Sequence, residues 1–238
     1  TAEQLKNAIT EKTKLLILPY PCNPTGAIME REDLESIAEI IREKDILVLS
    51  DEIYSELTFA KNPHISIASI DGMHERTVVV NGFSKSFSMT GWCLGYACGP
   101  REIMSQITKI HQYAIMCAPT TSQYAAIEAL RNCDDEIKRM YDEYNMRRRL
   151  MVSGFNRIGL ECREPKGAFY AFPCIKGTGM GSEEFCEKLL YSKNVAVVPG
   201  TAFGAGGEGF IRASYCYSTE HIKEAIERIG EFVKEVKS

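Results

Sequence analysis

The sequence has no apolar run long enough to span a bilayer, no excess of positive charge, one tryptophan, four histidines and no CxxC pair. Each absence closes off a class. A spanning helix needs about 20 consecutive apolar residues, so no transmembrane segment is expected. The formal net charge is −4 over 238 residues, which provides no basic face for nucleic acid or anionic lipid. Nine cysteines at 22, 93, 98, 117, 133, 162, 174, 186 and 216 are odd in number and scattered. They share no ligand spacing with the histidines, which argues against a metal site or a disulfide framework and for reduced, mostly buried thiols. The opening residues TAEQLKNAIT lack a signal-peptide pattern, so the chain reads as cytoplasmic. It starts on Thr1, at what looks like the end of a helix leading into a strand, and reads as part of a longer polypeptide.

What is present is an alternation of strands and helices. Leu15 to Leu18 is a continuous apolar run closed by PYPCNPTG, the pattern of a fully buried parallel strand. Leu34, Ile37, Ala38 and Ile41 then recur at helical spacing, and Ile46 to Ser50 forms a second apolar run ending on Asp51, Glu52 and Tyr54. Strand, helix, strand predicts a crossover in an α/β sheet. Val78 to Val80 reads as a third strand and Leu94 to Cys98 as a fourth. The dozen residues between them hardly admit a helical crossover, so the fourth is expected to run antiparallel.

Helices are expected over Arg101 to Gln112, Thr121 to Arg131 and Asp134 to Ile158, the last a natural hinge between two domains, 1–140 and 141–238. Beyond Gly159, strands at Ala168 to Phe172, Val195 to Val198 and Phe210 to Cys216 mix with helices at Ser182 to Lys193 and Thr219 to Val236, a small α+β domain with Thr219 as N-cap of the last helix.

The stretch VVVNGFSKSFSMTGWCLG, Val78 to Gly95, holds an unusual lysine. Lys85 sits in a small-residue turn among hydroxyl and aromatic neighbours with no carboxylate close in sequence, whereas a surface lysine favours a polar helix face. A lysine so placed is either an exposed loop residue or a nucleophile. In open α/β sheets ligands collect at the carboxyl ends of strands, and there Asn23 follows strand one, Asp51 and Tyr54 follow strand two, and Ser84 and Lys85 follow strand three. Singly, Asn23 is turn chemistry and Asp51 a helix cap. Together they suit pyridoxal phosphate, which needs a lysine for its aldehyde and a carboxylate for its pyridine nitrogen. The phenol of Tyr54 and the amide of Asn23 would donate to the ring oxygen, and Lys85 would move the proton at the substrate's α-carbon.

With NPTG (Asn23 to Gly26), SDEIY (Ser50 to Tyr54), FSKSFSMTGW (Phe83 to Trp92), KGAFYAFP (Lys166 to Pro173), and VAVVPGTAFG with FIRASY (Val195 to Tyr215) in this order, the chain resembles the fold-type I pyridoxal phosphate enzymes, specifically the class I/II aminotransferases. The resemblance covers essentially all 238 residues. It implies an incomplete, mostly parallel large-domain sheet with a small α+β domain, amino acid and 2-oxo acid substrates, and a homodimer. By it Asn23 and Tyr54 contact the cofactor oxygen, Asp51 the pyridine nitrogen and Ser84 the phosphate, while Lys85 forms the Schiff base. Arg212 holds the substrate α-carboxylate, a task suited to a planar fork of donors.

Two departures stand out. Where the family has a phosphate-binding arginine eight residues after the lysine, this chain has Cys93. The family's preceding segment, with a phosphate loop, a ring-stacking aromatic and further strands, is absent from this sequence, which predicts an exposed sheet edge. An aminotransferase part, a non-catalytic module that holds cofactor poorly and a lyase on the same scaffold are the three readings this leaves.

Overall fold

The computed structural model describes residues 1–237, which divide into two compact units: Thr1–Pro21 with Ile28–Lys138, and Cys22–Ala27 with the residues from Arg139 on. The boundary falls inside one continuous helix.

The first unit is built on a four-stranded sheet of β1 (Leu15–Pro19), β2 (Leu47–Asp51), β3 (Thr77–Gly82) and β4 (Gly95–Cys98), in that spatial order. β1, β2 and β3 are parallel, and β4 is antiparallel to β3, as the short connection predicts. A first helix, α1 (Ala2–Ala8), precedes β1, and α2 (Arg31–Arg42) joins β1 to β2. The backbone N–H of Glu30 donates to Asp33 Oδ2 at 3.0 Å, and Glu32 and Asp33 at the start with Arg42 at the end complement the helix dipole.

Residues on a strand alternate between the two faces of the sheet. On one face Leu16, Leu18 and Val48 pack with Leu34, Ile37, Ala38 and Ile41 of α2, and the 3₁₀ turns of the β2–β3 connection add Ile67, Ile70 and Met73. On the other face Leu15 is 50% exposed, Ile17 55% and Leu47 41%. The expectation of a fully buried first strand is thus corrected: among the described residues α2 covers one face of β1, and the opposite face stays open. After β3 come α3 (Phe83–Ser86), α4 (Arg101–Ala114) and α5 (Thr120–Asn132), and then α6 (Asp134–Arg157), which carries the unit boundary.

The second unit has a three-stranded antiparallel sheet, β5 (Tyr170–Ala171), β7 (Ile211–Ser214) and β6 (Val198–Pro199), with β7 central. α7 (Ser182–Lys193) and α8 (Thr219–Lys237) flank it. The core is closed: Phe155, Phe185, Leu189, Ile211, Tyr215, Ile222, Ile226 and Phe232 are all buried, and Phe185 meets Phe232 edge-on at 5.1 Å. Thr219 is the first helical residue of α8 rather than its cap; the Ser218 hydroxyl accepts from the His221 N–H at 3.3 Å.

The cysteines also differ from expectation. Only Cys162 and Cys186 are buried, while Cys93, Cys98, Cys117 and Cys216 are exposed. Burial pushes the Cys162 and Cys186 thiols up to about 11, which keeps both protonated and unreactive at neutral pH. Apolar neighbours in sequence misled here, because several of them lie on the open faces of the first unit.

Candidate active site

The first unit brings together one part of the expected set. Asp51 ends β2 opposite Val80 of the parallel neighbour β3, and that strand runs through Gly82 directly into Ser84 and Lys85 of α3. Carboxylate and amine therefore leave the same carboxyl-terminal edge of adjacent parallel strands, where open α/β sheets bind ligands. Asp51 Oδ1 accepts from the Ile53 N–H at 3.2 Å, which fixes the carboxylate, and Tyr54 is buried three residues on.

The lysine turn is held from three sides. The Gly82 N–H donates to Asn81 Oδ1 at 2.7 Å, and the Asn81 amide donates to the Ser55 hydroxyl at 3.1 Å, tying the turn to the loop after β2. Phe83 is buried against Ala126 and Ala129 of α5, with Phe87, Met89 and Leu94 around it, and the Ser122 hydroxyl of α5 donates to the Trp92 carbonyl at 2.8 Å. Gly82 and Gly95 are paired across β3 and β4. A Cβ on Gly82 would lie 3.1 Å from the Gly95 Cα, and one on Gly95 would lie 2.9 Å from the Asn81 carbonyl oxygen. A side chain at Gly95 would force the backbone to shift, and one at Gly82 would press tightly on its neighbour strand.

Beside Asp51 lies a buried polar cluster that sequence reading passed over. Glu52 Oε1 accepts from the hydroxyls of Ser50 at 2.8 Å and Ser66 at 2.6 Å. His64 Nε2 lies 3.0 Å from Oε2, at ion-pair distance though not aligned as a linear hydrogen bond. Burial pushes the Glu52 carboxyl up, but the contacts with His64 and the two serines outweigh it and hold it below the ordinary glutamate value. Ser66 and His64 stand twelve or more residues beyond Glu52 in an irregular connection, and nothing in the sequence pattern pairs them with it.

The second unit holds the remaining two residues. Arg212 on β7 donates from Nη1 to Asn23 Oδ1 at 2.8 Å, which leaves the Asn23 amide hydrogens free of that contact. The Arg212 guanidinium lies over the rings of Tyr170, at 4.4 Å, and Phe203, at 4.8 Å. Two aromatic faces and one amide oxygen fix the plane of the guanidinium, a preorganised fork for a carboxylate. Tyr170 and Phe203 lie inside the KGAFYAFP and VAVVPGTAFG motifs, but their role as walls for Arg212 becomes visible only in the folded unit, where Tyr170 sits on β5 beside β7 and Phe203 on the turn that follows β6.

Cys93 has φ +49° and is exposed, and its sulfur lies 3.7 Å from the Thr90 carbonyl oxygen and 3.9 Å from that of Gly91. The donor set of the first unit fits the ring of pyridoxal phosphate: an amine for the aldehyde, a carboxylate for the pyridine nitrogen and a phenol for the ring oxygen. For a phosphate, the positions the family pattern marks hold the Ser84 hydroxyl and the Cys93 thiol, and a thiol is a weak donor beside a guanidinium.

The comparisons with known proteins bear on the family and the fold. Residues 1–229 match the family model described as aminotransferase class I and II. The chain is 50% identical over 233 residues to the putative aminotransferase YugH of Bacillus subtilis, covering 98% of this chain and 60% of that relative. It is 47% identical over 240 residues to an aspartate aminotransferase of Pyrococcus abyssi, covering 99% and 61%. The crystal structure of an aromatic aminotransferase from Pyrococcus horikoshii matches with a TM-score of 0.97 at 46% identity, covering 100% of this chain and 64% of that one. The chain thus spans about 60% of the length of the curated relatives it matches. By sequence and by fold, this chain belongs to the class I and II aminotransferases, a family that uses pyridoxal phosphate.

Proposed function

We propose that this chain carries the lysine-bearing part of an aminotransferase that moves an amino group between an amino acid and a 2-oxo acid. The observation that carries the reading is the placement of Asp51 and Lys85 at the carboxyl ends of two adjacent parallel strands. When bound, pyridoxal phosphate supplies an electron sink for the pair left at the substrate's α-carbon once its proton is removed.

Lys85 is the group that holds and returns that proton at its Nζ. Asp51 keeps the pyridine nitrogen protonated, as a carboxylate fixed by a backbone N–H is suited to do. Tyr54 and Asn23 donate to the ring oxygen, Ser84 donates to the phosphate, and Arg212 binds the substrate α-carboxylate with its fork.

Amino acids share that carboxylate whatever their side chain. This is consistent with relatives named for aspartate, for aromatic amino acids and for N-acetyl-LL-diaminopimelate. A homodimer and a cytoplasmic location complete the reading. The exposed Ile110, Tyr113 and Tyr124 of the first unit support association, and no described helix is long and apolar enough to cross a membrane.

Borohydride reduction in the presence of pyridoxal phosphate, followed by digestion, tests the assignment. The phosphopyridoxyl label is expected on Lys85, and label confined to other lysines would overturn it. A second reading, a module that folds but holds cofactor poorly, draws on Cys93. If the cofactor is lost on dialysis and its absorbance band with it, that reading gains; a band that survives dialysis removes it.

A further inference from the structure

Behind the Asn23–Arg212 pair lies a buried arginine, Arg148, that no motif includes. The loop carrying Asn23 closes on itself, with the Gly26 N–H donating to the Cys22 carbonyl and the Cys22 N–H to the Ala27 carbonyl, both at 2.8 Å. On its outer side the Gly26 carbonyl oxygen accepts from the N–H groups of both Lys166 and Gly167, each at 2.9 Å. Gly26 has φ +67°, and a Cβ there would lie 2.3 Å from the Pro165 Cβ, so the loop leans directly on residues 165–167.

Residues 164–165 are in turn held by Arg148 of α6. Its Nη1 donates to Glu164 Oε1 at 2.7 Å and to the Pro165 carbonyl at 2.9 Å, while Nε and Nη2 donate to Asn145 Oδ1 at 3.1 and 2.8 Å. The side chain is only 6% exposed. A rigid fork satisfied on two sides sets the position of a backbone segment more narrowly than a lysine, which presents one compact charge.

We propose that Arg148 is a positioning residue for substrate binding: through Glu164 and Pro165 it fixes the seat of Gly26, and thereby holds Asn23 where it orients Arg212 for a carboxylate. The proposal rests on the reading that Arg212 takes the substrate carboxylate. Arg148 itself touches no substrate. Its loss lets the 164–167 segment relax, moves the Gly26 carbonyl and weakens the 2.8 Å bond that sets the plane of the guanidinium.

The test is maleate titration by calorimetry, with steady-state kinetics, on the pyridoxal phosphate-loaded protein and its Arg148→Lys and Arg212→Gln variants. For Arg148→Lys the maleate Kd and the amino acid KM are expected to rise together by about fivefold to tenfold, the effect of about one lost hydrogen bond, with kcat changed less than about twofold. A purely structural arginine would instead lower the fraction of folded protein and leave the Kd and KM of the folded fraction unchanged, which overturns the proposal. If Arg212→Gln leaves maleate binding intact, the carboxylate reading itself fails, and the proposal with it.

Should Arg148→Lys not fold, hydrogen exchange on the unaltered protein decides. Saturating maleate should slow exchange of the Lys166 and Gly167 amides, because a ligand stabilises whatever its site requires. Unchanged exchange at both amides while maleate binds would overturn the coupling.

Discussion

Helices α4 and α8 both carry a clear apolar stripe, and the structure treats them in opposite ways. α8 buries Ile222, Ile226, Ile229, Phe232 and Val233 in the closed core of the second unit, whereas α4 buries no residue and leaves Ile110 70% and Tyr113 95% exposed. The two units differ likewise. The second has a sealed core behind Arg212, and the first presents its lysine and carboxylate on a sheet with one apolar face open. An amphipathic pattern states that a face is to be covered; it does not state by what. Among the described residues the cover for α8 is present and the cover for α4 is not.

The largest expected effect separates chemistry from packing. Lys85→Ala should abolish transamination, with no residual turnover above the uncatalysed rate, while leaving the unfolding midpoint nearly unchanged because the side chain is only half-buried. An assay of amino group transfer beside a urea titration reads both. Retained activity would remove the first unit's claim to the chemistry.

Next is Phe155→Ala in the second unit, where a fully buried ring is replaced by a methyl group and should cost about 3–5 kcal/mol of unfolding free energy. A loss below about 1 kcal/mol in the same titration would mean that this core is not as closed as its burial indicates.

How much of this was legible beforehand follows the same division. Strand β4 was readable as antiparallel because chain length limits connections, and α2, α7 and α8 were readable because one stripe of each meets a partner within the described chain. Lys85, Asp51 and Arg212 stood out by their placement relative to apolar strands and by motif. The open face of β1 was not legible, since Leu15 to Leu18 reads the same whether one face or both are covered. Nor were Glu52–His64 and Arg148–Glu164 legible: one member of each pair, His64 or Glu164, lies on an irregular segment whose route no periodicity encodes.

Glu52→Gln probes a middle case, a sealed polar cluster inside the open unit. The folded-state carboxyl lies below its ordinary value of 4.5. Its contribution to stability is therefore present above the unfolded pKa and is lost as pH falls through the lower folded one. The glutamine variant should lose about 1–3 kcal/mol at pH 7, through a buried cluster left imperfectly paired, and should show a flatter acid limb in a plot of stability against pH. An acid limb identical to that of the unaltered protein would show that Glu52 does not feel His64 and the two serines as its geometry indicates.

The smallest effect on stability is expected where the apolar surface is most exposed, and there it carries the most information. Tyr113→Ser on α4 removes a ring that is almost entirely in solvent, so the unfolding free energy should move by no more than about 0.5 kcal/mol. If α4 instead meets a second copy in solution, the same substitution should weaken association in sedimentation equilibrium while the monomer's stability stays put, since removing an interface aromatic acts on the complex alone. A stability loss above about 2 kcal/mol without any change in association would mean that Tyr113 is buried within its own chain, and the contrast between α4 and α8 would collapse. Stability and association moving independently would establish that the first unit's open face is satisfied from outside the described residues, as the buried stripe of α8 is satisfied from within.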